Sequence, residues 1–163
     1  MDDYNPLKLE NQICFPLYAC SKEIIKLYKP FLDELDLTYT QYITMMVMWE
    51  YKKITAHLLG EKLYLDSGTL TPMLKKLEGK GLIERARSKT DERNLDISIT
   101  EKGMNLRQKA INVPNKLSNC IPLETDKALE LYKTLNELLT LLKKWLKSNL
   151  LFFLFFYKYL VYN

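Results

Sequence analysis

A chain of 163 residues, 47% of them hydrophobic, can bury one respectable core, so a single domain with an attached extension is the expected organisation. Five glycines and six prolines exclude a long linker or an all-β fold. One histidine rules out a His-based metal site or catalytic triad within one chain, and three cysteines without a signal peptide indicate free thiols in a reducing compartment.

Met1-Asp2-Asp3 is acidic and has no basic secretory start, so the expected location is the cytoplasm. The segment Leu7 to Leu37 is rich in apolar residues and reads as a helix, with Cys14 set among Ile13, Phe15 and Leu17. By residue type alone, Cys14 is either a buried inert thiol or a reactive one. Tyr18 falls one helical turn beyond it. Cys20, six positions on, lies about 9 Å further along the axis and points elsewhere. Pro16 kinks this helix if it sits in the interior, or marks a later helix start.

Thr38-Tyr39-Thr40-Gln41 reads as a capping box opening a helix through Tyr42 to Glu50. The run Met45-Met46-Val47-Met48-Trp49 is assigned to the core. Thr55 to Leu63 is a short support helix with His57 facing solvent. Asp66-Ser67 then starts a further helix by offering a side-chain acceptor to an orphan amide. Leu70, Met73, Leu74 and Leu77 follow at i, i+3, i+4 and i+7, a single buried stripe. Gly68, Thr71, Pro72, Lys75 and Lys76 occupy the opposite face, which suits a recognition helix in a DNA major groove. The candidate DNA-binding set on this helix is Asp66, Ser67, Gly68, Thr69, Thr71, Pro72, Lys75 and Lys76. An ordinary amphipathic surface helix is the plainer alternative.

After Gly79-Lys80-Gly81 closes that helix, Leu82 to Arg87 and Leu95 to Ile99 read as two strands joined by the polar loop Ser88 to Asn94. Helix followed by basic hairpin gives a mainly α fold with a small β-hairpin wing, a winged helix-turn-helix. Between Lys75 and Arg93, seven Lys or Arg stand against four Asp or Glu, so this segment's net +3 carries most of the chain's +4. Such clustering is the footprint of a phosphate-binding surface. Arg93 at the hairpin tip suits the narrow minor groove, braced by Asp91, while Arg85 and Arg87 suit phosphate contacts. A solvated charge cluster is the alternative there. No Gly-rich phosphate loop and no close cysteine pair of zinc spacing occurs, so neither cofactor nor metal is expected.

Leu123 to Lys147 carries Leu129, Leu131, Leu135, Leu138, Leu139, Leu142 and Leu146. So much apolar helix surface in a small chain calls for a homodimer, which also matches a pseudo-palindromic operator in double-stranded DNA. The run Leu150 to Tyr157 is interrupted by Lys158 and falls short of the roughly 20 apolar residues of a membrane span. Its Phe, Leu, Tyr, Lys and Asn bias resembles translation of AT-rich sequence, so residues 149–163 read as an aberrant tail, or else as extra dimer packing. The expected division is residues 1–37 for dimerisation and sensing, 38–100 for the DNA-binding domain, 101–148 for C-terminal dimerisation helices, then the tail.

The run Leu65 to Pro72 within the Asp66–Glu78 helix, the Asp91-Glu92-Arg93 wing tip and the Cys14-Phe15 region together resemble the MarR superfamily. Within it the resemblance is to the organic hydroperoxide resistance regulators and related one-cysteine redox regulators, over roughly residues 7 to 148. It implies a non-enzymatic, dimeric DNA-binding repressor with an organic hydroperoxide as inducer. By the same resemblance Cys14 is the peroxide-reactive thiolate, held by the phenols of Tyr28 and Tyr39 from across the dimer, with Tyr18 nearby. Two-cysteine members capture the resulting sulfenic acid with a distal thiol, which points to Cys120 of the other subunit; one-cysteine members use a small cellular thiol. The rivals are a MarR-type regulator released by phenolic or drug-like ligands, with Cys14 structural, and a thiol peroxidase. The peroxidase leaves the 66–78 helix and the basic wing unexplained.

Overall fold

A computed structural model of the chain describes residue 5, residues 7–87 and residues 95–161. The wing loop 88–94, and with it Asp91 and Arg93, lies outside the described residues. Two compact units form, Met1–Ile121 and Pro122–Asn163. The first does not break at 37 or 100, because Leu32, Leu35 and Leu37 share one core with Met45, Leu74, Ile97 and Ala110.

After a short 3-10 turn at Leu9–Asn11, the first unit runs α1 (Cys14–Asp33), α2 (Tyr39–Tyr51), β1 (Lys53–Thr55), α3 (Ala56–Leu63) and α4 (Ser67–Gly79). It continues through β2 (Ile83–Arg87), β3 (Leu95–Ile99), α5 (Glu101–Ala110) and α6 (Val113–Ser118). The Thr38 capping box is present in full: Gln41 N–H donates to Thr38 Oγ1 at 3.4 Å, and Thr38 N–H donates to Gln41 Oε1 at 3.0 Å. Thr55, Asp66 and Thr100 cap α3, α4 and α5 with a side-chain oxygen that accepts the backbone N–H of Leu58, Thr69 and Gly103.

Helix α1 begins at Cys14, so Pro16 falls in the first turn and does not kink the helix. The amide it lacks is one of the four that have no acceptor at a helix start. The proline inside α1 is Pro30, close to its end.

The sheet is antiparallel in the order β1-β3-β2. Its hairpin follows the sequence pattern, but β1 is an addition: Lys53, Ile54 and Thr55 pair with Ser98, Ile97 and Asp96. Central Ile97 is fully buried, and Lys53 Nζ lies 2.9 Å from Asp96. In the methionine run, Met45 and Met48 are fully buried, whereas Met46 is 46% exposed, because a helix passing over a core shows it only one face.

The second unit holds α7 (Thr125–Val161), a continuous helix that crosses the boundary expected at 148. Its Leu131, Leu138, Leu142 and Trp145 recur at near-heptad spacing and are exposed in the single chain. Among the described residues no helix is long and apolar enough to cross a membrane.

Leu74 on α4 is 1% exposed in the middle of the core. Leu74→Ala is expected to lower unfolding stability by about 2–5 kcal/mol in urea denaturation at fixed protein concentration. Lys75→Ala, on the exposed face of the same helix, is expected to leave stability nearly unchanged.

Candidate nucleic-acid interface and thiol site

Helix α4 is fixed from below by its apolar stripe. Leu70, Met73, Leu74 and Leu77 are all buried, and Thr44 on α2 donates its hydroxyl to Met73 Sδ at 3.4 Å. Gly68, Thr71, Pro72, Lys75 and Lys76 are exposed together with Ser67 and Thr69. The stripe therefore aims a small, hydroxylated and cationic surface outward, the composition that a DNA groove accepts.

Asp66 belongs to the architecture of this face. Its Oδ1 accepts the Thr69 amide at 2.9 Å and its Oδ2 accepts the Thr69 hydroxyl at 3.0 Å. These two bonds, the amide foremost, hold its carboxyl below the usual carboxylate range. Gly68 has a local reason to be small: a Cβ there would meet Asp66 Oδ1 at 2.9 Å.

Arg85 is not a free cation. Its Nε and Nη2 donate to Glu78 Oε2 at 2.9 and 2.5 Å, and its backbone N–H donates to Glu78 Oε1 at 3.2 Å. Two of its guanidinium N–H groups are thus engaged within the protomer. Arg87, like Lys75 and Lys76 on α4, remains exposed. The role of Glu78 has no sequence signal beyond its charge, since its partner lies seven residues on in another element.

The thiols lie on different elements. Cys14 is exposed in the first turn of α1, and Cys20 and Cys120 are also exposed. Tyr18 accepts a hydrogen bond from Lys22 Nζ at 3.2 Å. Tyr28 and Tyr39 do come together, with ring centroids 4.9 Å apart, and Tyr42 joins them at 5.9 Å from Tyr28. Burial above all, then repulsion from the Tyr39 and Tyr42 phenols, pushes the Tyr28 hydroxyl up to about 12. It therefore remains a proton donor throughout the physiological range.

Tyr28 is fourteen residues along α1 from Cys14, or about 21 Å, so this tyrosine pair does not meet the thiol of its own chain. Cys120 is similarly remote. Its Sγ donates to Lys116 O at 3.3 Å, and Lys116 sits near Glu34 and Phe31 at the far end of α1. Among the described residues no group of three or more His, Cys, Asp or Glu could hold a metal ion.

A recognition helix on a capped support, beside an antiparallel hairpin, defines a winged-helix regulator of transcription. Residues 26–110 match the family of transcriptional regulators SarA/Rot, and the chain belongs to that family of MarR-type winged-helix proteins. It is 53% identical over 114 residues to the organic hydroperoxide resistance transcriptional regulator of Bacillus subtilis (strain 168), covering 70% of this chain and 78% of that protein. Reduced AbfR bound to DNA, a protein of Staphylococcus epidermidis, superposes with a TM-score of 0.70 at 37% identity, covering 83% of this chain and 92% of that one. The disulfide form of AbfR superposes at 0.56 with 36% identity, covering 85% and 92%. The Bacillus subtilis relative is a regulator of transcription and AbfR is seen bound to DNA; the chain is a DNA-binding transcriptional regulator and not an enzyme.

The depressed Asp66 carboxyl makes the cap sensitive to acid. Its contribution is present above the carboxyl's ordinary unfolded value and is lost as pH falls through the lower folded value. Asp66→Asn keeps an acceptor without a charge, so acid titration followed by circular dichroism is expected to show a smaller loss of stability below about pH 4 in the variant than in wild type.

Proposed function

We propose that this protein is a homodimeric repressor that holds its operator while Cys14 is reduced and releases it when an organic hydroperoxide oxidises that thiol. The observation that carries the reading is the placement of the phenols. Tyr28 and Tyr39 form one cluster, Cys14 is exposed about 21 Å away on the same helix, and only a second copy can bring the two together. Pairing α1 with its two-fold mate would set the thiol of each protomer against the tyrosines of the other. The exposed Phe15, Leu17, Ile25 and Leu27 on α1 and the exposed leucines of α7 supply the apolar surface such a dimer would bury.

The chemistry follows from this contact. The Cys14 thiolate attacks the near oxygen of the peroxide; the S–O bond forms, the O–O bond breaks, and the alkoxide leaves to take up a proton as an alcohol. The positive end of α1 and hydroxyl donors from Tyr28 and Tyr39 suit the anionic sulfur of the reduced state. Apolar neighbours such as Ile13 and Phe15 suit an organic peroxide over a small polar one. The sulfenic acid is then attacked by the partner subunit's Cys120, forming a disulfide and releasing water. The remoteness of Cys120 from Cys14 within one chain, with Cys120 on the segment that meets the far end of α1, supports an intersubunit pairing over an intrachain one. The name of the Bacillus subtilis relative and the reduced and disulfide forms of AbfR support a thiol switch of this type.

DNA is contacted by the exposed face of α4, by Arg87 and by Arg93 of the wing, on a pseudo-palindromic site. A cytoplasmic location fits a protein that acts on DNA. Residues 149–163 are assigned no part in DNA binding.

The reading is tested by treating the protein with stoichiometric cumene hydroperoxide, trapping with dimedone and measuring intact mass for wild type and for each Cys→Ser variant. Only Cys14→Ser is expected to lose the trapped adduct. On non-reducing gels Cys120→Ser is expected to lose the peroxide-induced dimer band. An adduct that persists in Cys14→Ser would make that thiol structural, and a dimer band that persists in Cys120→Ser would exclude the pairing.

A further inference from the structure

An arginine on a DNA-binding face is by default a phosphate contact, and a glutamate there is by default a cost. Arg85 and Glu78 fit neither default. The Arg85 side chain is only 18% exposed, while Lys75, Lys76 and Arg87 are open to solvent. Three of its N–H groups, two from the guanidinium and one from the backbone, converge on the single Glu78 carboxylate. That carboxylate adds negative charge next to a surface that must attract phosphates, so its presence calls for a structural reason.

The positions of the two residues supply one. Glu78 is the penultimate residue of α4, and Arg85 is the middle residue of β2, paired with fully buried Ile97. The chain between them runs through Gly79, Lys80 and Gly81, with Gly81 at φ +69. The joint is held at its backbone, by Gly81 N–H to Glu78 O at 2.8 Å, Leu82 N–H to Leu77 O at 3.1 Å and the Thr100 hydroxyl to Gly81 O at 2.7 Å, but among these bonds none ties the wing strand itself to the last turn of α4 through side chains. A carboxylate bonded to both backbone and side chain of the wing strand closes that joint from the side.

We propose that Glu78 and Arg85 are positioning residues for DNA readout: the pair locks β2 to the last turn of α4, so that helix and wing meet one duplex at a fixed separation. Major-groove and minor-groove contacts then form together, and specificity for the operator over other DNA depends on a pair that touches neither groove. This rests on the DNA-binding reading, but it is independent of the redox switch and is measured on reduced protein.

The experiment uses the reduced full-length protein, an operator duplex selected from a random pool and a scrambled duplex, with fluorescence anisotropy over a range of salt. Glu78→Gln removes a negative charge, so simple electrostatics predicts tighter binding. The positioning role predicts the opposite sign: operator affinity falls by about tenfold or more, scrambled-duplex affinity does not fall, and the salt slope stays constant. Arg85→Lys keeps the charge but not the planar fork and is expected to lose operator affinity equally. Lys76→Ala, as a phosphate-contact control, is expected to lower the salt slope by about 0.9. Tighter operator binding with a steeper slope in Glu78→Gln would overturn the proposal, because the freed Arg85 would then be a phosphate contact. Full affinity in Arg85→Lys would overturn it as well. If Glu78→Gln melts below assay temperature, Glu78→Asp takes its place, which keeps the charge and shortens the reach; undiminished operator affinity there contradicts the clamp. Wild type that binds operator and scrambled duplex alike would remove sequence-specific reading itself, and the proposal with it.

Discussion

The interface between α4 and the helix beneath it is the constraint on which everything else depends. Leu70, Met73, Leu74 and Leu77 lie in one buried row against a core that includes fully buried Met45 and Met48 of α2. A helix has one way to satisfy such a row, and satisfying it determines which residues face out. Gly68, Thr71, Pro72, Lys75 and Lys76 face outward because the other side is committed to the core. The capping of Asp66 on Thr69 sets where the helix starts, so burial governs its rotation and the cap governs its register.

The same core connects the DNA-binding face with the thiol helix. Leu32 at the end of α1 and Leu35 and Leu37 just beyond it belong to the cluster that holds α4. Lys80, at the end of α4, forms an ion pair of 2.9 Å with Asp36 in the turn that follows α1. A line of rings runs from Tyr39 through Tyr28 and Tyr42 to Trp49, whose indole N–H donates to Gly103 O in α5 at 2.8 Å. Gly103 can be nothing larger, since a Cβ there would overlap Leu82 O at the entry to the wing strand. Interiors packed this closely do not deform gradually. A displacement of α1 on oxidation would be passed on to the recognition helix and the base of the wing, which is how a small chemical change at a thiol can alter a spacing that DNA reads.

Most of the DNA-binding half was legible in the sequence because it is local. The capping box at Thr38, the start at Asp66, the apolar row of α4 and the alternation of Leu95 to Ile99 depend on residues within one or two turns of each other, and each is present in the structure. What sequence pattern missed depends on distance along the chain. Strand β1 is three residues long and exists because residues some forty positions later pair with it. The exposure of Met46 cannot be told from its buried neighbours in sequence, because a continuous apolar run carries no phase. The bond between Arg85 and Glu78 has no signal in the sequence, because nothing in the neighbourhood of either residue announces the other. The start of α1 at Cys14 was obscured by apolar residues on both sides, although Pro16 gave the signal. At the thiol site the tyrosine cluster is visible in one chain, and Cys14 lies about 21 Å along α1 from it.

The central claim, that oxidation of one thiol controls hold on DNA, is tested most directly by operator binding in fluorescence anisotropy, with and without one equivalent of organic hydroperoxide, for wild type and Cys14→Ser. Wild type should release the duplex on oxidation and recover it with dithiothreitol, while Cys14→Ser should bind equally before and after treatment. Release by both proteins, or retention by both, would contradict the account.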